Sequence, residues 1–369
     1  MNPPGTSEKP NRPVLFREYP ELGKSIPRVS LGNFPTPVHQ LDKMGCANLW
    51  IKRDDLSSPV YGGNKIRKLE FILGEAKRRK SAHIITFGGI GTNHGLATAI
   101  FCHKLGISCT LLLFSQPVTA GVKTNLLLFS KYKAATIYKK TLWKTVVSYY
   151  LLERIKHPAA YFVYAGGSNP EGTIGYVDAA FELKEQIHRD EIPEPEVIIC
   201  PLGSGGTLAG LSLGIQLAGL PTRLTGVRVS ESHLGPFQAC TPDTVEKLMK
   251  QTYIYLKRRY RRLPEINLRR PEILHDYFGG GYGVPTKAAS KVSRLLKNRE
   301  GIALEPTYTS KAFAAVYDHC QHQGQTAGPV LYWHTHNSVD LTDRANSVDY
   351  RNLPKALQGF IKEVLEETK

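Results

Sequence analysis

The chain has 369 residues, 41% hydrophobic and 22% charged, a balance that fits a globular protein with a large core. No apolar run approaches the roughly 20 residues needed to cross a bilayer, and the opening MNPPGTSEKPNRP lacks the apolar segment of a secretory signal, so it reads as a short disordered lead-in. Its 48 Lys and Arg against 32 Asp and Glu leave a net charge of +16, which draws anionic ligands.

In chain order, VYGGNKIRKLE (60–70) places two glycines and an asparagine before a helix that starts at Lys65. Gly62 and Gly63 permit close backbone approach there, and Asn64 is the expected N-cap. HIITF (83–87) predicts a strand, followed by a glycine turn and a helix from about Asn93 to Leu105. SCTLLLF (108–114) and YFVYA (161–165) predict further strands. VIIC (197–200) predicts a short strand that feeds a glycine turn and an apolar helix, and LTGVRV (224–229) and VLYWHT (330–335) supply later strands. Strands alternating with helices indicate α/β architecture on parallel sheets. There is no internal repeat or long linker. The basic segment from about 240 to 270, broken by Pro264, is expected on the surface as an insertion.

Six cysteines lie scattered without CxxC or Cys/His spacing, which argues against a metal site and a disulfide framework and favours a reducing, cytoplasmic compartment. The run KRRYRRLPEINLRR (257–270) has no accompanying RNP, helix-turn-helix or finger pattern. It reads as a solvated face, and nucleic acid is not an expected partner.

Two glycine turns carry the chemistry. In PLGSGGTLAG (201–210) consecutive backbone N–H groups can converge on one anion, with Ser204 and Thr207 adding hydroxyls at a helix start. The pattern is neither GxGxxG nor GxxxxGK[ST], so a phosphate monoester fits better than a nucleotide. In FGGIGTNHGLA (87–97), Thr92 and Asn93 stand at a second helix start, where they serve as caps or hold a carboxylate or cofactor oxygen. His94 alone reads more simply as a packed histidine. A lysine at a glycine-framed helix start together with a monophosphate cradle suggests pyridoxal phosphate, whose aldehyde needs an amine and whose phosphate needs an anion site.

These motifs, with KRDDL (52–56), AGGSNPEGTIGYVDAAFEL (165–183), GYGVP (281–285), EPTYTSKA (305–312) and HT (334–335), resemble the fold-type-II pyridoxal-phosphate family of D-cysteine desulfhydrase and 1-aminocyclopropane-1-carboxylate (ACC) deaminase. The resemblance runs from about Phe34 to about His336. It implies two interleaved three-layer α/β domains of the tryptophan synthase β type, residues 1–65 with 170–369 forming the larger and 66–169 the smaller. It also implies a homodimer. Lys65 would carry the cofactor, Asn93 would hydrogen-bond its 3′ oxygen, and Gly203, Ser204, Gly205, Gly206 and Thr207 would hold its phosphate. Thr92, Asn93, His94 and Thr309 are assigned to the substrate, Thr335 to the cofactor, and Tyr282 and Tyr308 to an active-site tyrosine pair, with Lys65 and Thr92 beside them in catalysis.

The ACC deaminase pattern has glutamate and leucine where this chain has Thr309 and Thr335, so the chain resembles the D-cysteine desulfhydrase branch. A hydroxyl suits an unprotonated pyridine nitrogen, and expelling a thiolate needs a shallower electron sink than opening a cyclopropane. The expected reaction is β-elimination from D-cysteine to pyruvate, sulfide and ammonia. ACC deamination, elimination from another substituted alanine, and cofactor binding with little catalysis are the alternatives. Besides Thr92, which stands where the family has a serine, three positions depart from the family pattern. Gly91 replaces a glutamine expected near the substrate carboxylate, and His336 and Asn337 replace two glycines at the cofactor's ring end.

Overall fold

The computed structural model describes residues 12–234, 237–323 and 328–366, so most of the expected lead-in lies outside the described residues. Six strands form the larger sheet, in the order Val38–Gln40, Leu49–Arg53, Val330–His334, Val197–Leu202, Arg223–Arg228, Glu272–Leu274. Only the first pair is antiparallel. Ala135–Tyr138, Ser108–Phe114, His83–Gly89 and Tyr161–Phe162 form a smaller, wholly parallel sheet.

Parallel strands covered on both faces read as unbroken apolar runs. Val197–Leu202 and Val330–His334 are buried at every position. Their pleat divides them between two cores. Ile198, Cys200 and Leu202 join the helices Pro170–His188 and Gly206–Ala218 on one face. Val197 and Ile199 meet Phe313 and Val316 of Thr309–Gln323 on the other. The smaller sheet repeats this arrangement, with Ile84 and Leu111 on one side and Ile85, Phe87 and Leu112 on the other.

Two segments sit differently from expectation. The helix Pro242–Arg259 is basic only on its outer side, because Val245, Leu248, Met249 and Leu256 are buried in the large core and Leu263 follows them. An apolar stripe at helical spacing docks the segment, and its cations stay outside; Lys257 pairs with Glu265, and Arg270 with Asp243 at 3.0 Å. The chain's last described part packs on the smaller sheet, where Leu341, Ala345, Leu353, Leu357 and Ile361 join the core of Leu126 and Phe129.

The helix Lys65–Arg78 lies between the two sheets, and a buried ionic network fixes it. Arg67 reaches Asp54 at 2.8 Å and Glu182 at 2.9 Å, while Tyr176 and Trp333 donate to Asp54 at 2.7 and 2.8 Å. Lys52 completes the set against Glu182 at 2.5 Å. The backbone of Asp54 also takes part, its carbonyl accepting from Gly63 N at 2.8 Å. The loop before Lys65 is thereby tied to the centre of the fold.

Candidate active site

Gly62 and Gly63 are demanded by this loop. A Cβ at Gly62 would lie 2.0 Å from the Asp55 carbonyl oxygen, and one at Gly63, which has φ +84°, would lie 2.6 Å from the His336 carbonyl oxygen. Asn64 is the N-cap residue, but its side chain makes no capping hydrogen bond. Its Oδ1 accepts from Lys65 Nζ at 2.8 Å and its Nδ2 donates to Thr207 Oγ1 at 3.2 Å, so it joins the lysine to the glycine turn instead. Burial pushes the Lys65 amine down to about 8, opposed by the charge of Glu305.

The turn at 203–207 closes one end of the site. Gly205, at φ +84°, opens the helix Gly206–Ala218, and Gly206 N donates to Ser168 Oγ at 3.1 Å. Ser168 and Ser204 share a hydrogen bond of 2.7 Å. Lys68, one turn beyond Lys65, enters here; its Nζ lies 3.2 Å from the Gly166 carbonyl oxygen and would stand 2.8 Å from a Cβ on Gly206. Burial, with the Lys65 charge behind it, drives the Lys68 pKa well below its ordinary value. A phosphate group supplies the negative charge that would keep this buried amine protonated, and the N–H groups, hydroxyls and glycine-lined space suit its oxygens. Neither Lys68 nor Ser168 was among the residues expected at the phosphate.

The second turn ends the strand His83–Gly89. Thr92 caps the helix Asn93–Lys104, accepting from Gly95 N at 3.2 Å. Asn93 is exposed, and Asn125 donates to its Oδ1 at 3.0 Å and to the Gly91 carbonyl at 2.8 Å. That pairing leaves the Asn93 Nδ2 as the donor presented outward. His94 is buried, packs near Gly167, and has no hydrogen-bond partner on either ring nitrogen. Burial and the charges of Lys65 and Lys68 lower its pKa far below the usual histidine value. Orphaned buried polar atoms beside two lysines mark a place for a polar ligand. At Gly91 a Cβ would point at Val122 Cγ2, 2.5 Å away, so the family's glutamine has no room here.

Tyr308 packs its ring on Gly203, the Cε1 atom 3.2 Å from a Cβ there, and its hydroxyl is hydrogen-bonded to that of Tyr282. Burial raises both phenols. Lys311 holds the Tyr282 loop, donating to the Phe278 and Gly281 carbonyls at 2.6 and 3.1 Å. Glu305 caps the helix that follows, its Oε1 accepting from Tyr308 N at 2.6 Å and Thr309 N at 2.7 Å. Thr309 is buried, and its hydroxyl accepts from Glu305 N at 2.9 Å and reaches the Glu305 carbonyl at 3.2 Å. That hydroxyl is committed to the cap. Thr335 sits at the C-terminal end of the central strand, where ligands of open α/β sheets bind, and its carbonyl accepts from Asn64 N at 3.2 Å. Asn337, in place of a family glycine, accepts from Gly62 N at 2.6 Å and so braces the lysine loop.

Lys65, Asn64, Thr207, Lys68, Ser168, His94, Tyr308 and Tyr282 therefore form one connected set. A family model described as "Pyridoxal-phosphate dependent enzyme" matches residues 29–336. The chain belongs to this family. A protein of Pyrococcus furiosus described as a putative 1-aminocyclopropane-1-carboxylate deaminase is 35% identical over 328 residues, covering 85% of this chain and 93% of that one. A D-cysteine desulfhydrase of Serratia proteamaculans is 32% identical over 322 residues, covering 84% and 93%. A crystal structure described as an ACC deaminase homologue superposes with a TM-score of 0.75 at 31% identity, covering 91% of this chain and 99% of the other. The protein is thus a fold-type-II enzyme of the ACC deaminase and D-cysteine desulfhydrase group, and its cofactor is pyridoxal phosphate. Among the described residues no helix is long and apolar enough to cross a membrane, and no His, Cys, Asp and Glu group could hold a metal.

Proposed function

We propose that the protein eliminates the β-substituent of a small amino acid, with D-cysteine as the substrate and pyruvate, hydrogen sulfide and ammonia as products. The observation that carries this reading is Thr335, a hydroxyl-bearing residue at the C-terminal end of the central strand next to the lysine loop, where the ACC deaminase pattern has the purely apolar leucine. Thr309 adds to it, because the carboxylate of that pattern is missing there and its replacement is bound to Glu305. The desulfhydrase name of the Serratia relative agrees. The Pyrococcus relative's name supports the second reading, ACC deamination to 2-oxobutyrate.

Pyridoxal phosphate, when bound, supplies an aldehyde for amines and a ring that withdraws electrons from Cα. Lys65 is the group assigned to hold that aldehyde and then, once released, to take the Cα proton; an amine with a pKa of about 8 is part-neutral at physiological pH and suits both tasks. Asn93 and His94 orient the cofactor and substrate from the second helix start. The cradle of Gly203, Ser204, Gly205, Gly206 and Thr207, with Lys68, fixes the phosphate end. The linked hydroxyls of Tyr282 and Tyr308 provide a path for a proton to the departing sulfur. Water then completes the balance, D-cysteine and one water giving one each of pyruvate, hydrogen sulfide and ammonia.

The test is a product panel on cofactor-loaded protein. Pyruvate and sulfide from D-cysteine, with 2-oxobutyrate from ACC at least tenfold slower on the order of kcat/KM, is the expected outcome. Faster 2-oxobutyrate formation from ACC would reverse the assignment, and no product from any amino acid would leave a cofactor-binding protein.

A further inference from the structure

The proposed reaction needs a place for the substrate carboxylate. With the cofactor phosphate at 203–207, the second helix start at 88–94 offers a further anion-binding position, and the unpartnered buried ring of His94 lies in its first turn. Gly91 leaves that turn without the side-chain amide of the family pattern. The space is not left open. Gln116, two residues past the strand Ser108–Phe114, lays its amide over the turn; its Oε1 would be 2.0 Å from a Cβ on Gly89, and its Nε2 3.0 Å from a Cβ on Gly91. Both glycines are needed to admit it. Phe114 is the register partner of Gly89, so adjacent parallel strands bring Gln116 to the same carboxyl edge that carries Thr92 and Asn93. Asn125 already binds the Gly91 carbonyl and Asn93 from another side, at 2.8 and 3.0 Å. The Gln116 amide itself makes no hydrogen bond to a described residue and is only partly buried.

We propose that Gln116 is a specificity-determining residue that donates its amide N–H to the substrate α-carboxylate, taking over from the next strand the amide that residue 91 lacks. The proposal rests on the lyase reading above and identifies which side chain selects an amino acid over a plain amine. An amide donor facing a carboxylate makes a charge-assisted hydrogen bond, and removing it costs about tenfold to a hundredfold in affinity. Cofactor uptake should persist, because the Gln116 side chain is hydrogen-bonded neither to the turn at 203–207 nor to Lys65.

The experiment compares wild-type, Gln116→Ala and Gln116→Glu proteins, each loaded with pyridoxal phosphate. Cofactor absorbance is titrated with alanine of either hand, with D-cysteine, and with cysteamine, which has the amine and thiol of cysteine but no carboxylate. The expected result is an unchanged cofactor spectrum and an unchanged cysteamine response in both variants. Amino-acid titrations should shift about tenfold or more in Gln116→Ala, and further in Gln116→Glu, where two carboxylates would meet. KM for D-cysteine should rise with kcat nearly constant. If Gln116→Ala fails to take up cofactor, the near-isosteric Gln116→Glu carries the comparison. Amino acids that titrate both variants as they do wild type overturn the Gln116 assignment alone. A loaded wild-type protein that responds to no amino acid overturns the lyase reading and this assignment with it.

Discussion

The amine of Lys65 stands between burial, which favours its neutral form, and the carboxylate of Glu305, which favours its charge, and the outcome is a pKa of about 8. An amine must be neutral to attack an aldehyde. The rate at which the cofactor-free protein takes up pyridoxal phosphate should therefore rise with pH and level off above a midpoint near 8, rather than near the ordinary lysine value of about 10.4. Glu305→Gln removes the opposing charge, so its midpoint should fall below that of wild type. Stopped-flow absorbance on the loaded chromophore measures both, and a midpoint that moves upward in Glu305→Gln would contradict the assignment of Glu305. Lys65→Ala should give a protein that folds but forms no imine chromophore. The same residue was readable in sequence because two glycines and an asparagine precede it in a recognisable string. Lys68 lies in that string too, yet nothing local says that its amine crosses to Gly166 and Gly206. Ser168 and Asn125 were unreadable for the same reason, since each reaches these turns through contacts between distant parts of the chain, and the charge of Glu305 bears on Lys65 from a far part of the sequence.

At the scale of elements, three helices meet closely because glycine sits where they cross. A Cβ on Gly175 of the helix Pro170–His188 would stand 2.1 Å from the Arg67 carbonyl oxygen, and one on Gly210 would stand 2.4 Å from Tyr176 Cβ. Backbone cannot swing aside as a side chain can. Gly175→Ala should thus push the helix Lys65–Arg78 outward, costing about 1–3 kcal/mol in overpacking and displacing Lys65 and Lys68 together. Thermal melting of the cofactor-free protein reads the first effect, and cofactor affinity reads the second. Unchanged melting would mean that the helices have slack that the close contact denies. The sequence made the strand–turn–helix units readable, because buried parallel strands are continuous apolar runs followed by glycine. The predicted strand at 161–165 is reduced to Tyr161–Phe162, and Ala135–Tyr138 and Glu272–Leu274 carried no usable signal. These short strands lie toward sheet edges, where alternation is too brief to read. The segment 240–270 misled because its charges dominate the composition, while the spacing of Val245, Leu248, Met249 and Leu256 decides its docking.

Over the whole molecule, Arg67 connects the packing of the large sheet to the placement of Lys65. It holds Asp54 and Glu182, and Asp54 in turn anchors Gly63 through its carbonyl. Burial works to raise the Glu182 carboxyl, but Arg67 and Lys52 outweigh it and hold it down to about 2. A carboxyl whose folded pKa is depressed adds stability above its unfolded value of about 4.3, and that stability is lost as pH falls toward about 2. Arg67→Met keeps most of the side-chain volume and removes the charge. Two buried carboxylates then share only Lys52, a change that costs about 3–5 kcal/mol when one partner of a buried pair is removed. The Glu182 carboxyl should move up, so the variant should unfold at a higher pH than wild type on acid titration, followed by circular dichroism. Bound cofactor stabilises the folded state by about 2.7 kcal/mol at a hundredfold excess over Kd, and the displaced Gly63 loop should reduce even that in the variant. Because the lost ionic contacts exceed what ligand binding returns, saturating pyridoxal phosphate should recover only part of the difference in melting temperature. Full recovery would place the network outside the path between fold and site, and leave the position of Lys65 to the glycine loop alone.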